Sequence, residues 1–204
     1  MEFMWIRHAS FMIKADNHVI YIDPYFDPDV HKDLPKADAI IITHPTYDHG
    51  TQESVDLISA RDTKVYATRK STDDITGQII APGDHFFVGN CSVSIVRTYH
   101  SKEDSVGVIL ESEGQRLYYT SDTDFNELLF DHVCTVLVVP VALDELDTSE
   151  ILQLCAGLKP RLVIPVHFGL NQGDKFDALK LKNDLEKQQA THVVVPEPLK
   201  PISI

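Results

Sequence analysis

The chain has 204 residues, 43% of them hydrophobic, and 31 acidic side chains against 18 basic ones give a formal net charge of −13. That length suits one domain over 1–204 with a sizeable core, and no stretch is repeated, low in complexity or rich enough in Pro, Gly and Ser to be a linker. The acidic balance makes nucleic acid an unlikely partner, because binding it needs Lys and Arg to neutralise phosphates; most of the surplus charge is expected to be solvated surface.

Met1 to Lys14 holds His8, Ser10 and charges among short apolar runs, so neither a signal-peptide core nor a membrane span is expected there or later. Phe3 to Ile6, Phe11 to Ile13, Val19 to Ile22 and Ala39 to Ile42 read as strands separated by turn-forming Asp, Asn, Pro and Gly. Gln52 to Ala60 and Ser71 to Ile75 are expected as modest helices on either side of a strand at Lys64 to Thr68. Phe86 to Val88, Val93 to Thr98, Val106 to Leu110 and Arg116 to Thr120 follow as an antiparallel meander.

The second half changes rhythm. Strands at Val136 to Val139, Leu162 to Val166 and Val193 to Val195 alternate with helices, as in α/β units. Asp147 or Thr148 caps the first helix, whose stripe is Ile151, Leu154, Cys155 and Leu158, and Pro160 stops it. The second covers Asp174 to Gln188, with Phe176, Ala178, Leu179, Leu181 and Leu185 among charges. Two packed sheets with helices outside are the expected arrangement. Cys91, Cys134 and Cys155 are odd in number and set in apolar surroundings, which predicts reduced core thiols in a cytoplasmic protein.

Chemistry gathers at Thr43-His44-Pro45-Thr46-Tyr47-Asp48-His49-Gly50, directly after the apolar run Ala39 to Ile42. Two imidazoles and a carboxylate in one short loop converge only if something such as a cation offsets their crowding and desolvation. The plainer alternative is a polar turn in which Asp48 caps the next helix. Asp23, His100, Asp122 and His167 each stand where an apolar strand enters a loop, and strand-end loops on one edge form the usual crevice of layered α/β proteins. Taken singly, His100 reads as a hairpin residue, Asp122 as a turn or cap, and Asp23 before Pro24 as a turn opener. His167 follows a buried run and has no such ordinary role. His8 reads either as an outer donor to a ligand or as a hairpin residue; His18, His31, His85, His132 and His192 read as ordinary.

These residues resemble the metallo-β-lactamase fold superfamily, and within it the lactonase-like group of small metal-dependent hydrolases of the L-ascorbate-6-phosphate lactonase type. The resemblance rests on the His8-Ala9-Ser10-Phe11 turn, Ile22-Asp23-Pro24, Ser121-Asp122-Thr123, Pro140-Val141 and Pro165-Val166-His167-Phe168-Gly169, together with the His44 loop. It implies an α+β fold, a four-layer αββα sandwich of two mixed sheets facing each other with helices outside, and a two-metal site along one edge. By the same resemblance His44 and His100 belong to the first metal position, Asp48, His49 and His167 to the second, and Asp122 to both, while Asp23 and His8 orient ligands from outside.

The chain also departs from the pattern. The family loop is His-x-His-x-Asp-His, and Thr46 occupies the middle His position; a hydroxyl is a poor zinc ligand, so the first position is expected to be weakened. Arg7 replaces the Gly that usually precedes the His-Ala turn, and Val141 to Asp144 stands where the family tends to be Gly-rich.

The expected activity is hydrolysis of a small-molecule ester, lactone or phosphoester by a metal-bound hydroxide, with Asp48 or Asp122 managing its proton and Zn²⁺ the favoured ion, Mn²⁺ or Fe²⁺ the others. The competing reading is a non-catalytic descendant that keeps one structural or regulatory metal. A homo-oligomer is left open.

Overall fold

The structure, a computed structural model, describes residues 1–100, 104–141, 146–169, 174–188 and 191–204. Ala142 to Asp144, where the sequence departs from the Gly-rich segment of the family it resembles, lie outside the described residues, as does the side chain of Phe176.

The chain runs β1 (Glu2–Arg7), β2 (Ser10–Ala15), β3 (His18–Ile22), β4 (Ala37–Ile42), α1 (Gln52–Ile58), β5 (Ser59–Ala67), β6 (Gln78–Ile79), β7 (His85–Val88), β8 (Cys91–Arg97), β9 (Val106–Ser112), β10 (Gln115–Tyr119), β11 (Val136–Pro140), α2 (Thr148–Leu158), β12 (Leu162–Val166), α3 (Lys175–Gln188), β13 (His192–Val193) and β14 (Pro201–Ser203). Among the described residues one sheet has the order β14-β1-β2-β3-β4-β5-β6 and the other β13-β12-β11-β10-β9-β8-β7. Each sheet is mixed. β14 to β3 pair antiparallel and β3 to β6 parallel, while β7 to β10 pair antiparallel and β10 to β13 parallel.

Alternation along the strands explains why the sheets stack. In β1 to β4, Phe3, Trp5, Phe11, Ile13, Ile20, Ile22, Ala39 and Ile41 join the core shared with Val93, Ile95, Val108, Leu110 and Leu117 of the opposite sheet. Their neighbours Met12, Val19, Tyr21, Ile40 and Ile42 point the other way, into a second core closed by Val55 and Ile58 of α1. The stripes Ile151, Leu154, Cys155 and Leu158 of α2 and Ala178, Leu181 and Leu185 of α3 complete the larger core. The result is the αββα sandwich. Asp147 caps α2 through a full capping box with Glu150, as its position predicted.

Local boundaries differ from expectation. The first helix stops at Ile58, because the Ser59 hydroxyl donates to the Val55 carbonyl at 2.7 Å and Thr63 ties the following turn to the Ala37 carbonyl, so β5 begins at Ser59. Ser71 to Ile75 forms only a 3₁₀ turn over Ser71–Asp73, with the Thr68 and Ser71 hydroxyls bonded to each other at 2.7 Å. The last parallel strand is shorter, at His192–Val193. All three cysteines are buried and free, and burial pushes the Cys91 thiol up to about 11 and those of Cys134 and Cys155 to about 12.

Gly157 in α2 lets the Phe130 ring approach so closely that a Cβ there would lie 2.4 Å from it. Gly157→Ala should therefore lower stability by ~1–2 kcal/mol in urea unfolding, overpacking outweighing the ~1 kcal/mol that Ala gains in helix propensity. A variant more stable than wild type would show that the ring yields freely.

Candidate metal centre

The expected site residues lie in the loops that follow the C-terminal ends of strands, with Asp48 and His49 in the 3₁₀ turn Tyr47–His49 beyond β4. β1, β3 and β4 run the same way in one sheet and β8, β10 and β12 the same way in the other, so His8, Asp23 and His44 emerge at one edge, and His100, Asp122 and His167 at one edge of the second sheet. The two edges meet. Val106 donates its N–H to the Thr43 carbonyl at 3.0 Å, and His167 to that of His8 at 2.9 Å. The exits are sharp: His8, Asp23, Ser121 and His167 have φ of 50°, 49°, 54° and 64°, left-handed values that cost non-glycine residues ~1 kcal/mol or more each and concentrate at functional sites.

His49 is central. Its Nδ1 contacts Asp23 Oδ2 at 2.9 Å, and its Nε2 lies 3.1 Å from Asp122 Oδ2 and 3.3 Å from His167 Nε2. His167 Nε2 is in turn 3.6 Å from Asp122 Oδ1. Asp48 reaches the group from the same loop as His49, its Oδ2 3.2 Å from His8 Nε2, and the His8 ring lies 3.9 Å from that of His167. The potential ligand atoms of His44, His49 and Asp122 lie within 4.8 Å of one another, and so do those of His8, Asp48 and His167. His100 brings its ring 5.4 Å from that of His44 but stands outside both groups.

Asp23 is wholly buried and holds the assembly from behind. Thr43 donates to it through its N–H at 2.7 Å and its hydroxyl at 2.6 Å, His49 through Nδ1–H, and Tyr119 through its hydroxyl at 3.3 Å. Because the Thr43 proton goes to Asp23, Ser121 is left to donate to Thr43 Oγ1 at 2.7 Å. Tyr119 is the residue sequence reasoning missed. Its place in the meander reads only as core, and nothing in the alternation marks its hydroxyl as a partner of Asp23.

The electrostatics call for a cation. Burial pushes the Asp23 carboxyl up, yet four donors aimed at it favour the ionised form, and we assign it as carboxylate. Burial also works against ionisation of Asp48 and Asp122, but is outweighed: hydrogen bonds from His8 and Thr46 and the charge of His49 hold Asp48 below the usual range, and His49 and His167 do so for Asp122. Burial opposes a charge on His49 too, but Asp122 and Asp23 raise its pKa well above normal, whereas burial takes His44 down to about 4 and His167 to about 3. Three carboxylates thus face one imidazolium, with two neutral imidazoles beside them. His44 Nε2, His100 Nδ1 and Asp122 Oδ1 are buried without a hydrogen-bond partner among the described residues. Orphaned acceptors and surplus negative charge are what a bound divalent cation would satisfy, so the residues fit the metal.

Sheet order and strand-end histidines and carboxylates together have the arrangement of the metallo-β-lactamase fold. The family profile described as a beta-lactamase superfamily domain matches residues 2–167, and the chain belongs to that superfamily. Among its relatives is a UPF0173 metal-dependent hydrolase of Anaeromyxobacter sp., 25% identical over 241 residues that cover 99% of this chain and 86% of that one. The fold is similar to that of Igni18, a metallo hydrolase from Ignicoccus hospitalis, at a TM-score of 0.82 and 19% identity over 98% of this chain and 97% of that one. It is equally similar to the metallo-beta-lactamase fold protein YhfI from Bacillus subtilis, at 0.80 and 11% over 98% of both chains.

Proposed function

We propose that this chain is a metal-dependent hydrolase that cleaves a small-molecule ester, lactone or phosphoester at the centre built on His49 and Asp122. The observation that carries the reading is the convergence of His44, Asp48, His49, Asp122 and His167, all at least partly buried, around more negative charge than one imidazolium offsets. Asp122, His49, His167 and Asp48 would hold one cation, Zn²⁺ or alternatively Mn²⁺ or Fe²⁺; His44 and His100 would be left with Asp122 for a second, weaker position because Thr46 supplies no imidazole. When bound, the cation supplies Lewis acidity that lowers the pKa of water and polarises the bond to be cleaved.

The chain's own groups do the rest. Asp23 keeps the Nδ1 proton of His49 and directs Nε2 inward, and a cation there would take the place of the Nε2 proton. Asp48, partly exposed and steadied by His8, or Asp122 would hold or accept the proton of the water. A cleft of about 190 Å³, lined by His44, Thr46, Tyr47, Gln52, Ser71 and Asp74, adjoins the centre and suits part of a small molecule rather than a polymer. Among the described residues no helix is long and apolar enough to cross a membrane.

Protein purified without chelator is expected to retain about one equivalent of transition metal and to hydrolyse at least one member of a panel of lactones, thioesters and phosphodiesters; Thr46→His should then take up a second equivalent in titration. Well under half an equivalent after incubation with Zn²⁺ or Mn²⁺ would overturn the reading. Metal retention without hydrolysis of any panel member would favour the non-catalytic alternative. Two tight equivalents in the wild type would remove the role given to Thr46.

A further inference from the structure

Thr46 begins the 3₁₀ turn Tyr47–His49 in the position where a Thr hydroxyl normally caps the following N–H groups, yet it makes no capping bond. Its hydroxyl instead lies 2.8 Å from His44 Nδ1. The other nitrogen of that ring, Nε2, is buried and has no hydrogen-bond partner among the described residues. We propose that Thr46 is a positioning residue whose hydroxyl accepts the Nδ1–H of His44, holding His44 in the tautomer that leaves the Nε2 lone pair free for a cation. The proposal rests on the reading of His44 as a metal ligand and gives Thr46 a role that its loss of an imidazole does not suggest.

The two nitrogens of the ring decide the direction. With the hydrogen on Nδ1, the Thr46 hydroxyl accepts it at 2.8 Å and Nε2 keeps a lone pair that needs no donor of its own. The Thr46 backbone N–H also points at His44 Nδ1, which would require a lone pair there, but at 3.4 Å it is beyond the usual ~3.2 Å limit and is the weaker claim on that atom. The opposite tautomer would bury an Nε2–H without an acceptor, the costlier of the two ways of leaving a ring nitrogen unpaired. His44 therefore receives from Thr46 what His49 receives from Asp23, an outer acceptor for Nδ1–H.

The test reads the tautomer directly, by long-range proton–nitrogen correlation NMR of histidine-labelled, metal-free protein, assigned with His44→Gln. Wild type and Thr46→Ser should show His44 protonated at Nδ1. Thr46→Val, which keeps the shape and loses the hydroxyl, should show a mixture or the Nε2–H form and take up Zn²⁺ beyond the first equivalent ~10-fold or more weakly in titration. If Thr46→Val does not fold, the same comparison is made with Thr46→Ala. An Nε2–H signal for His44 in the wild type overturns the proposal, as does a Val or Ala variant with unchanged tautomer and affinity. Failure of the ligand assignment is distinct: His44→Gln would then take up Zn²⁺ beyond the first equivalent as readily as wild type while the tautomer in the Thr46 series still responded.

Discussion

Asp122→Ala is expected to strip the protein of metal and of hydrolysis together, while His100→Ala leaves most of both. The ligand atoms of Asp122 and of His44, from the first position, lie within 4.8 Å of each other, and the Asp122 carboxylate is 3.1 and 3.6 Å from His49 and His167, from the second, so it is the side chain able to serve both positions. Its removal deletes a negative charge as well as a ligand, and the affinity loss should exceed the ~10–100-fold that accompanies loss of an outer partner. His100 stands outside both ligand groups, with its ring 5.4 Å from His44. Elemental analysis of the two variants at equal folded fraction checks the difference. Equal metal loss would mean that Asp122 does not join two positions.

Asp23→Ala should be the most damaging change for the fold itself. The carboxylate takes hydrogen bonds from Thr43, His49 and Tyr119 with no exposure to solvent, so truncation leaves those donors facing a void. Breaking a buried charged pair from one side costs ~3–5 kcal/mol, a large part of the ~5–15 kcal/mol that holds a domain folded. Released from Asp23, the His49 ring can turn, and any folded fraction should bind metal ~10–100-fold more weakly. Asp23→Asn, nearly the same size, should recover most of the packing but not the affinity, because its amide cannot satisfy all of those donors. Urea unfolding and zinc competition separate the two effects. An Ala variant with unchanged stability would refute the part assigned to Asp23.

The candidate centre was legible because its residues follow strong local signals. Apolar runs such as Ala39 to Ile42 and Leu162 to Val166 announce strands, and a His or Asp at the exit of each has to go somewhere specific. What the string of residues cannot carry is the partner across space. His8 could be read as a hairpin residue or as an outer donor, and its 3.2 Å approach to Asp48, 40 positions away, exists only once β1 lies beside the His44 loop. Thr46 read as a loss; its bond to His44 depends on a rotamer that spacing does not encode. The short edge strands were missed for another reason. Gln78–Ile79 is too brief to show a period, and so is Pro201–Ser203, whose proline is tolerated as the first residue of an edge strand but announces none. Helix ends failed where a hydroxyl, as at Ser59, takes over a backbone carbonyl.

His49 and His167 belong to opposite sheets and are separated by 118 positions, yet their ring nitrogens lie 3.3 Å apart. The first half of the chain cannot assemble this centre by itself, because Asp122 and His167 come from β10 and β12 of the other layer. A cation held there would work as a clasp across the sandwich, linked to the docked arrangement and not to either half alone. Whatever loosens the two layers would release such an ion, and its removal would weaken the hold of one layer on the other at that edge.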